Sequence, residues 1–219
     1  MKPYLVLKRI LDLIFSLTLL VIMSPILLIV AFVIKLESKG PVFFMQDRIG
    51  LNGRTFKIYK FRSMVVDAEK VGTGVYSFKG DPRVTKVGAF IRKTSIDELP
   101  QLFNIIKGEM SVIGPRPTLV YHPWPIEDYT KEQKNRFNLR PGVTGLAQVN
   151  GRKEVPWPER IILDTEYVNE VSLWLDTKIF FKTIIKVVSM GDNYNTNQTA
   201  SKADSKEDIS DLSKGKKKA

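Results

Sequence analysis

The longest apolar run of the chain covers residues 13–34, and no charged residue lies within it. A helix rises about 1.5 Å per residue, so a run of this length can cross the hydrocarbon core of a bilayer. Hydropathy alone therefore predicts one straight transmembrane helix near the amino terminus. A cleaved signal peptide is not expected, because no small-residue cleavage pattern follows the run.

Two features of this apolar run favour a hairpin that enters and leaves the membrane by the same face. Ser24 and Pro25 lie almost at its middle, where a proline removes a backbone hydrogen bond and kinks a helix. Basic residues flank the run on both sides, at Lys2, Lys8, Arg9, Lys35, Lys39, Arg48 and Arg54. By the positive-inside rule both flanks then lie in the cytoplasm. Residues 1–39 are therefore predicted to form a re-entrant helix-break-helix with its break at Ser24 and Pro25.

Beyond this segment the pattern changes to short strand-like and helical runs. Strand-forming residues on either side of Asn52 and Gly53 predict a β-hairpin over residues 42–61, because Asn-Gly is a preferred turn pair. Short helices are expected over residues 87–93, 99–107 and 130–136, and from Pro158 onward. The fold class is therefore α+β and mainly α, with a domain over residues 40–191 that lies on the membrane.

The clearest amphipathic helix covers residues 174–190. Apolar residues occupy one face, and Lys178, Lys182 and Lys186 follow one another on another face at a spacing of four. One interpretation is an interfacial helix with its lysines toward lipid phosphates, and the other is a helix packed on the core with a solvated lysine face. Residues 192–219 are polar, and a disordered tail is predicted there.

Composition narrows the chemistry. The chain has no cysteine and one histidine, His122, which excludes disulfides, thiol nucleophiles, thiolate metal sites and a histidine-based zinc site. The net charge of +11 points to anionic partners. Together with the apolar run, this charge favours membrane lipid and phosphate over nucleic acid.

An adjacent carboxylate pair, Asp97 and Glu98, has two interpretations. Ser95 with Glu98 matches a capping box, so the pair can simply mark the start of a helix. Pro100 lacks a backbone N–H and favours Asp97 as the N-cap, because the proline then falls where no intrahelical donor is needed. Whether Ser95 or Asp97 is the N-cap, the pair can have this structural role instead of a catalytic one.

The functional interpretation of the pair requires an anionic substrate, and the neighbouring residues favour one. Arg92 lies just before the pair, and Arg116 lies in a Gly-Pro-Arg-Pro turn whose prolines restrict the backbone. Arginine can donate two hydrogen bonds at once to phosphate oxygens. Proteins usually hold Mg²⁺ through one or two carboxylates together with phosphates and water. Asp97 and Glu98 are therefore candidates for a phosphate-dependent Mg²⁺ site.

Three strings occur in an order that resembles one enzyme family. They are KFRSM at residues 60–64, SIDELPQLFNIIKGEMSVIGPRP at residues 95–117 and RPGVTGLAQV at residues 140–149. The chain resembles the bacterial sugar transferases, small monotopic polyprenyl-phosphate phosphoglycosyl transferases, over about residues 5–190. Larger members carry a further multi-helix membrane region before the hairpin, so the chain is expected to resemble the minimal enzymes.

The resemblance implies a reaction and roles for matched residues. Asp97 would be the nucleophile that attacks the β-phosphate of a UDP-sugar, releases UMP and passes the phosphosugar to undecaprenyl phosphate at the cytosolic face of the bacterial inner membrane. Asp97 would also contact Mg²⁺, and Glu98 would support the metal or move a proton. The residues implied to bind phosphate are Lys60, Arg62, Arg92 and Arg116. A homo-oligomer is left open.

Two other functions compete with this reaction. A non-enzymatic, membrane-anchored basic protein that recruits an acidic partner explains the charge and the apolar run, but it does not explain a carboxylate pair among arginines. A membrane-associated phosphohydrolase would use the same carboxylates and release phosphate or UMP without a lipid acceptor.

Overall fold

The computed structural model describes residues 3–74, 77–78, 80–151 and 155–188, and this part of the chain is mainly helical with two small sheets. The helices are α1 (Pro3–Glu37), α2 (Lys86–Lys93), α3 (Gln101–Lys107), α4 (Lys131–Lys134), α5 (Leu146–Val149), α6 (Trp157–Glu170) and α7 (Leu173–Val188). The strands are β1 (Phe43–Ile49), β2 (Thr55–Phe61), β3 (Ser111–Ile113) and β4 (Gly142–Thr144). The predicted α+β, mainly helical class is confirmed. The predicted polar tail lies outside the described residues.

The apolar run forms a single helix, α1, that is 35 residues long and passes through Ser24 and Pro25 without interruption. The break expected at these two residues is therefore absent, and the re-entrant topology stays a prediction. A proline removes only one backbone donor from a helix, and the Ser24 hydroxyl donates to the carbonyl of Val21 at 2.8 Å. By length and composition, α1 is the one described helix that can cross a membrane.

One narrow stripe of α1 packs against the rest of the protein along almost its whole length. Asp12, Ser16, Val30 and Ile34 are its buried residues, at helical spacing. Much of the remaining surface of α1 is apolar and exposed, including Leu17, Val21, Ile22, Leu28, Ile29 and Phe32. An exposed apolar surface of this size fits membrane association.

Polar contacts fix both ends of α1 to the same domain. Near the amino end, Lys8 forms a 2.7 Å ion pair with Asp176 of α7. Further along, the buried Asp12 carboxylate accepts hydrogen bonds from the Ser111 hydroxyl at 2.7 Å and from the backbone N–H of Val112 at 3.0 Å. At the carboxyl end, the Glu37 carboxylate accepts a 3.0 Å bond from a backbone N–H at the start of α2.

The predicted hairpin is confirmed, and it positions one edge of the site. β1 and β2 pair antiparallel from Phe43 opposite Phe61 to Ile49 opposite Thr55. The connection has left-handed backbone at Asn52 (φ 55°), as expected for Asn-Gly, but it spans five residues rather than two. Phe56 and Ile58 of β2 pack on α3 and on Leu19 and Leu20 of α1, as part of a shared hydrophobic cluster.

The later elements form around a second cluster that joins α6, α7 and β3. Tyr167 of α6 is fully buried and donates to the Asp176 carboxylate at 2.7 Å. Ile113 and Ile179 pack beside it. The predicted helix over residues 174–190 is α7, which ends at Val188 among the described residues. This packing places β3, β4 and α7 around the space next to the carboxylate pair.

Candidate active site

A cavity of about 980 Å³ contains the predicted site. All six side chains predicted to take part in chemistry or phosphate binding line it, namely Lys60, Arg62, Arg92, Asp97, Glu98 and Arg116. Much of the remaining lining is apolar, and α1 and α7 supply a part of it, namely Phe15, Leu19, Met23, Phe180, Ile184 and Val187. The cavity wall therefore combines charged side chains with apolar ones.

The carboxylate pair lies in a turn of 3₁₀ helix over Ile96–Glu98, before α3 begins at Gln101. The expectation that Asp97 is the N-cap is wrong, because Ser95 occupies the cap of this turn and Pro100 the cap of α3. The Ser95 side chain makes no capping bond, so the predicted capping box is absent as well. The helix-capping explanation for the pair therefore fails.

Ser95 sets the direction of the pair. Its backbone is left-handed (φ 59°), a conformation that costs energy for a residue with a side chain. The chain turns there, between the end of α2 and the Ile96–Glu98 turn, and both carboxylates become half-buried in the cavity wall. Such strain is often found at functional sites.

Lys60 forms an ion pair with one of the two carboxylates, Glu98. Its ammonium group, near the end of β2, donates to Glu98 Oε1 at 2.6 Å, and both side chains are largely shielded from water. This ion pair fixes the position of the Glu98 carboxylate in the cavity wall. Lys60 therefore acts on Glu98 directly in this structure, and the two motifs that contain these residues meet at one contact.

Arg116 is held by close pairing between two motifs. The backbone N–H of Gly114 donates to the Thr144 carbonyl, and that of Gly142 donates to the Pro115 carbonyl, each at 2.9 Å. A Cβ atom on Gly142 would lie 2.1 Å from the Gly114 nitrogen, so this approach requires glycine. The string at residues 140–149 thus fixes the backbone that carries Arg116.

A buried ion pair supports the Arg116 backbone from behind. Arg136 and Asp164 contact each other with about 1% of each side chain exposed. Arg136 Nη2 also donates to the Arg116 carbonyl at 2.8 Å. The Arg116 guanidinium itself makes no hydrogen bond or ion pair with the described residues. It is half-buried in the cavity wall and can receive an anion.

Arg62 differs from its predicted role. Its guanidinium donates to the carbonyls of Lys39 at 2.7 Å and Ser38 at 2.8 Å, and so it caps the carboxyl end of α1. Gly40, with φ 124°, leaves the room that this guanidinium occupies. Because its two terminal nitrogens bind backbone, we leave Arg62 out of the phosphate-binding set. Arg92 donates through Nη2 to the Ser77 hydroxyl at 2.8 Å and remains in the set.

Two residues that line the cavity were not singled out from the sequence. Gln148 of α5 is buried, and neither atom of its amide has a hydrogen-bond partner among the described residues. Arg48 of β1 had been assigned only to the basic flank of the membrane segment. The burial pattern of β1 alternates, so positions 44, 46 and 48 face inward. A charged residue on the inward face of a strand is the signal that could have identified Arg48.

Comparison with known proteins gives a consistent result. The sequence model for the bacterial sugar transferases matches residues 3–190. A UDP-glucose:undecaprenyl-phosphate glucose-1-phosphate transferase of Klebsiella pneumoniae is 47% identical over 186 residues, which are 83% of this chain and 40% of that protein. The chain thus spans less than half the length of this relative.

Two relatives match along nearly their whole length. An uncharacterized sugar transferase of Bacillus subtilis, EpsL, is 42% identical over 207 residues, which are 94% of this chain and 99% of EpsL. The exopolysaccharide production protein PSS of Rhizobium leguminosarum is 42% identical over 203 residues, covering 87% of this chain and 99% of PSS.

Proposed function

The chain belongs to the bacterial sugar transferase family, and on that premise we propose that it transfers a sugar 1-phosphate from a UDP-sugar to undecaprenyl phosphate. The observation that carries this proposal is the cavity itself. The carboxylate pair and Arg116 line it, and so do apolar side chains of α1 and α7. A charged donor and a lipid acceptor can therefore meet at Asp97.

The first step forms a covalent intermediate on Asp97. A carboxylate oxygen of Asp97 attacks the β-phosphorus of the UDP-sugar, and the bond from that phosphorus to the bridging oxygen breaks. UMP leaves with the bridging oxygen, and the sugar phosphate remains bound to Asp97 as an acyl phosphate. Asp97 is suited to this role because it lines the cavity beside Glu98 and does not cap α3.

The second step returns Asp97 to its free form. A phosphate oxygen of undecaprenyl phosphate attacks the same phosphorus, the bond to Asp97 breaks, and a polyprenyl-diphosphate sugar is released. Arg116 lies where it can donate two hydrogen bonds to phosphate oxygens in either step. Glu98, which is paired with Lys60, lies beside the reacting group.

Asp97 would also contact Mg²⁺, with Glu98 beside it. The described residues contain no group of three or more acidic, histidine or cysteine ligands, so a cage made only of protein ligands is not seen there. Two adjacent carboxylates and a substrate diphosphate match the way Mg²⁺ is usually held. Bound there, Mg²⁺ would neutralise charge that develops on the phosphates.

The apolar side chains that α1 and α7 contribute to the cavity would hold the first part of the polyprenyl chain. Both helices also expose apolar side chains on their outer surfaces. Trp174, Phe181 and Ile185 of α7 are exposed, and the Lys178 ammonium lies 4.9 Å from the Trp174 ring. This arrangement supports an interfacial α7, with its aromatic and basic side chains at the headgroups of the cytosolic face.

UMP release tests the proposed function. Purified protein with Mg²⁺ and a panel of UDP-sugars should release UMP in multiple turnovers only when undecaprenyl phosphate is present, and the panel identifies the sugar. Multiple-turnover release of UMP or phosphate without lipid would instead establish a phosphohydrolase. No release with any donor, together with liposome binding that collapses at high salt, would favour a recruitment protein.

A further inference from the structure

Arg48 lies in the wall of the active-site cavity, on the inward face of β1. Its Nη1 atom donates to the Pro117 carbonyl at 3.2 Å, one residue beyond Arg116. Its backbone also pairs with Leu119 in an isolated β-bridge. The fold thus places a second arginine beside the Gly-Pro-Arg-Pro turn, 68 positions away from Arg116 in the chain.

The charge of Arg48 is not neutralised by an ion pair with any described residue. Its two terminal nitrogens donate to neutral oxygens, the Pro117 carbonyl and the Gln46 side chain. Its Nε atom is buried and has no hydrogen-bond partner. The two carboxylates whose charges act on it, Glu69 and Glu98, are bonded to Gln46 and Lys60. Holding a cation in this way is unfavourable until an anion arrives.

Arg48 and Arg116 also oppose each other. Burial and the positive charge of Arg116 lower the pKa of Arg48 to about 10. The Arg116 guanidinium has no hydrogen bond or ion pair within the described part of the chain. Two cations that repel each other in the cavity wall would both gain from one phosphate group between them.

We propose that Arg48 is a substrate-binding residue that, with Arg116, forms a two-arginine site for a phosphate group. This inference rests on the proposed function, because that function supplies the phosphates. Two phosphates have the required chemistry, namely the diphosphate of the UDP-sugar and the phosphate of the lipid acceptor. Glu98 and Asp97 lie in the same cavity, so either group would be held next to the reacting carboxylate.

The rival explanation is that Arg48 only positions the turn by holding Pro117. The two explanations predict different effects of salt on substrate binding. A residue that binds phosphate contributes an ionic contact that salt screens, whereas a hydrogen bond to a carbonyl inside the protein depends little on salt. They also differ in whether substrate affinity or protein stability changes.

Three variants separate these explanations. Arg48→Gln removes the charge, and Arg48→Lys keeps it. Arg54→Gln is the matched control, because Arg54 lies in the same hairpin, is exposed and does not line the cavity. The KM for the UDP-sugar and the KM for undecaprenyl phosphate are measured separately at several salt concentrations. Equilibrium binding of UDP and the thermal unfolding midpoint are measured beside them.

A lost charge-assisted bond should raise one KM about tenfold or more in Arg48→Gln, with a shallower salt dependence. Arg48→Lys should recover part of this loss, and Arg54→Gln should match the wild type. The substrate whose KM rises identifies the phosphate. Unchanged KM values for both substrates would overturn the proposal, as would a loss of kcat that follows a lower unfolding midpoint without a change in salt dependence.

UDP binding tests the two-arginine site even if the proposed reaction does not occur, because it requires no turnover. If the wild type binds UDP but turns over no donor, weaker binding by Arg48→Gln than by Arg54→Gln still supports the two-arginine site. In that case equal UDP binding by both variants would overturn it; where turnover is observed, equal UDP binding together with an unchanged KM for the lipid would do so.

Discussion

Lys60 reaches the carboxylate pair from the end of β2 and donates to Glu98. Asp97 and Glu98 lie in one 3₁₀ turn, and neither of them caps α3. The Lys60 partner of Glu98 comes from a strand 38 positions away in the chain. The motif that contains the pair does not show this contact.

Arg116→Gln should impair catalysis without destabilising the fold. The variant keeps the backbone bonds that hold the turn and loses only a guanidinium that has no bond to the described residues. We expect kcat/KM to fall about tenfold or more, because charge-assisted bonds to phosphate are lost. The unfolding free energy should change by less than about 0.5 kcal/mol. Kinetics and thermal unfolding of the same preparation check both parts, and a large drop in stability would contradict the account.

The roles of single residues could be predicted from the sequence only where the partners are near in the chain. The Asn-Gly hairpin was predicted from local turn chemistry and is confirmed. Arg62 was assigned to phosphate, yet its partners are carbonyls at the end of α1, 23 and 24 positions away. Arg48 depends on Pro117, 69 positions away. A sequence motif does not contain such distant partners.

At the scale of elements, tertiary packing overrides local helix propensity in α1. Pro25 predicted a break, but α1 is continuous because residues on both sides of it pack on the domain, with Leu19 and Leu20 before it and Val30 and Ile34 after it. These contacts offset the one hydrogen bond that proline forfeits. The short helices were predicted to within a few residues, since their caps and apolar spacing are local features.

The buried pair between α6 and the turn after α4 should be an important contributor to stability. Asp164→Ala leaves Arg136 buried without its carboxylate, and breaking such a pair costs about 3–5 kcal/mol. Replacing both residues with apolar ones of similar size should recover much of this loss. Thermal unfolding of the single and double variants in the same detergent measures both effects. A single variant as stable as wild type would refute this role.

The loop after β2 should lose stability in acid because of one ion pair. Arg83 donates to the Asp81 carboxylate at 2.7 and 2.9 Å and also to the carbonyls of Ala68, Val71 and Gly74. The Arg83 hydrogen bonds hold the pKa of Asp81 below its usual value. The unfolded chain therefore takes up the proton first, and the contribution of this pair to stability is lost as the pH falls through the folded pKa.

The matching experiment compares Asp81→Asn with wild type across a range of pH. Asp81→Asn should have a lower unfolding free energy than wild type near neutral pH. This difference should shrink below about pH 4, the usual pKa of aspartate. Asp47→Asn serves as the control, because its partner Lys57 and its own side chain are exposed and surface pairs contribute little. If Asp81→Asn remained less stable than wild type by the same amount down to strongly acidic pH, the proposed role of the Asp81–Arg83 pair would be wrong.

At the scale of the whole molecule, α1 is about 50 Å long at 1.5 Å per residue, yet both of its ends contact one domain. Lys8 binds Asp176 near one end, and Glu37 binds the start of α2 at the other. A straight transmembrane helix would place these two ends on opposite sides of the membrane. The polar contacts that α1 makes between its two ends would then lie in the hydrocarbon of the membrane, which is unfavourable.

We therefore expect both flanks of α1 to face the cytosol. Cysteines introduced at Lys2 and Lys39 of this cysteine-free chain should both react with an impermeant reagent only from the cytosolic side. Labelling is compared in intact cells and in inverted vesicles, with a detergent-solubilised sample to establish that each cysteine can react. Reaction of the two sites from opposite sides would establish a straight span.

The central claim is that Asp97 becomes covalently bound to a phosphosugar. It is tested most directly by mixing the protein with its UDP-sugar and Mg²⁺ in the absence of lipid, quenching rapidly, and identifying the modified peptide by mass spectrometry. The account predicts a burst of UMP close to one per active site and a phosphosugar on Asp97, and neither should occur in Asp97→Asn. Turnover with lipid but without a modified Asp97, or modification of Asp97→Asn at another residue, would contradict it.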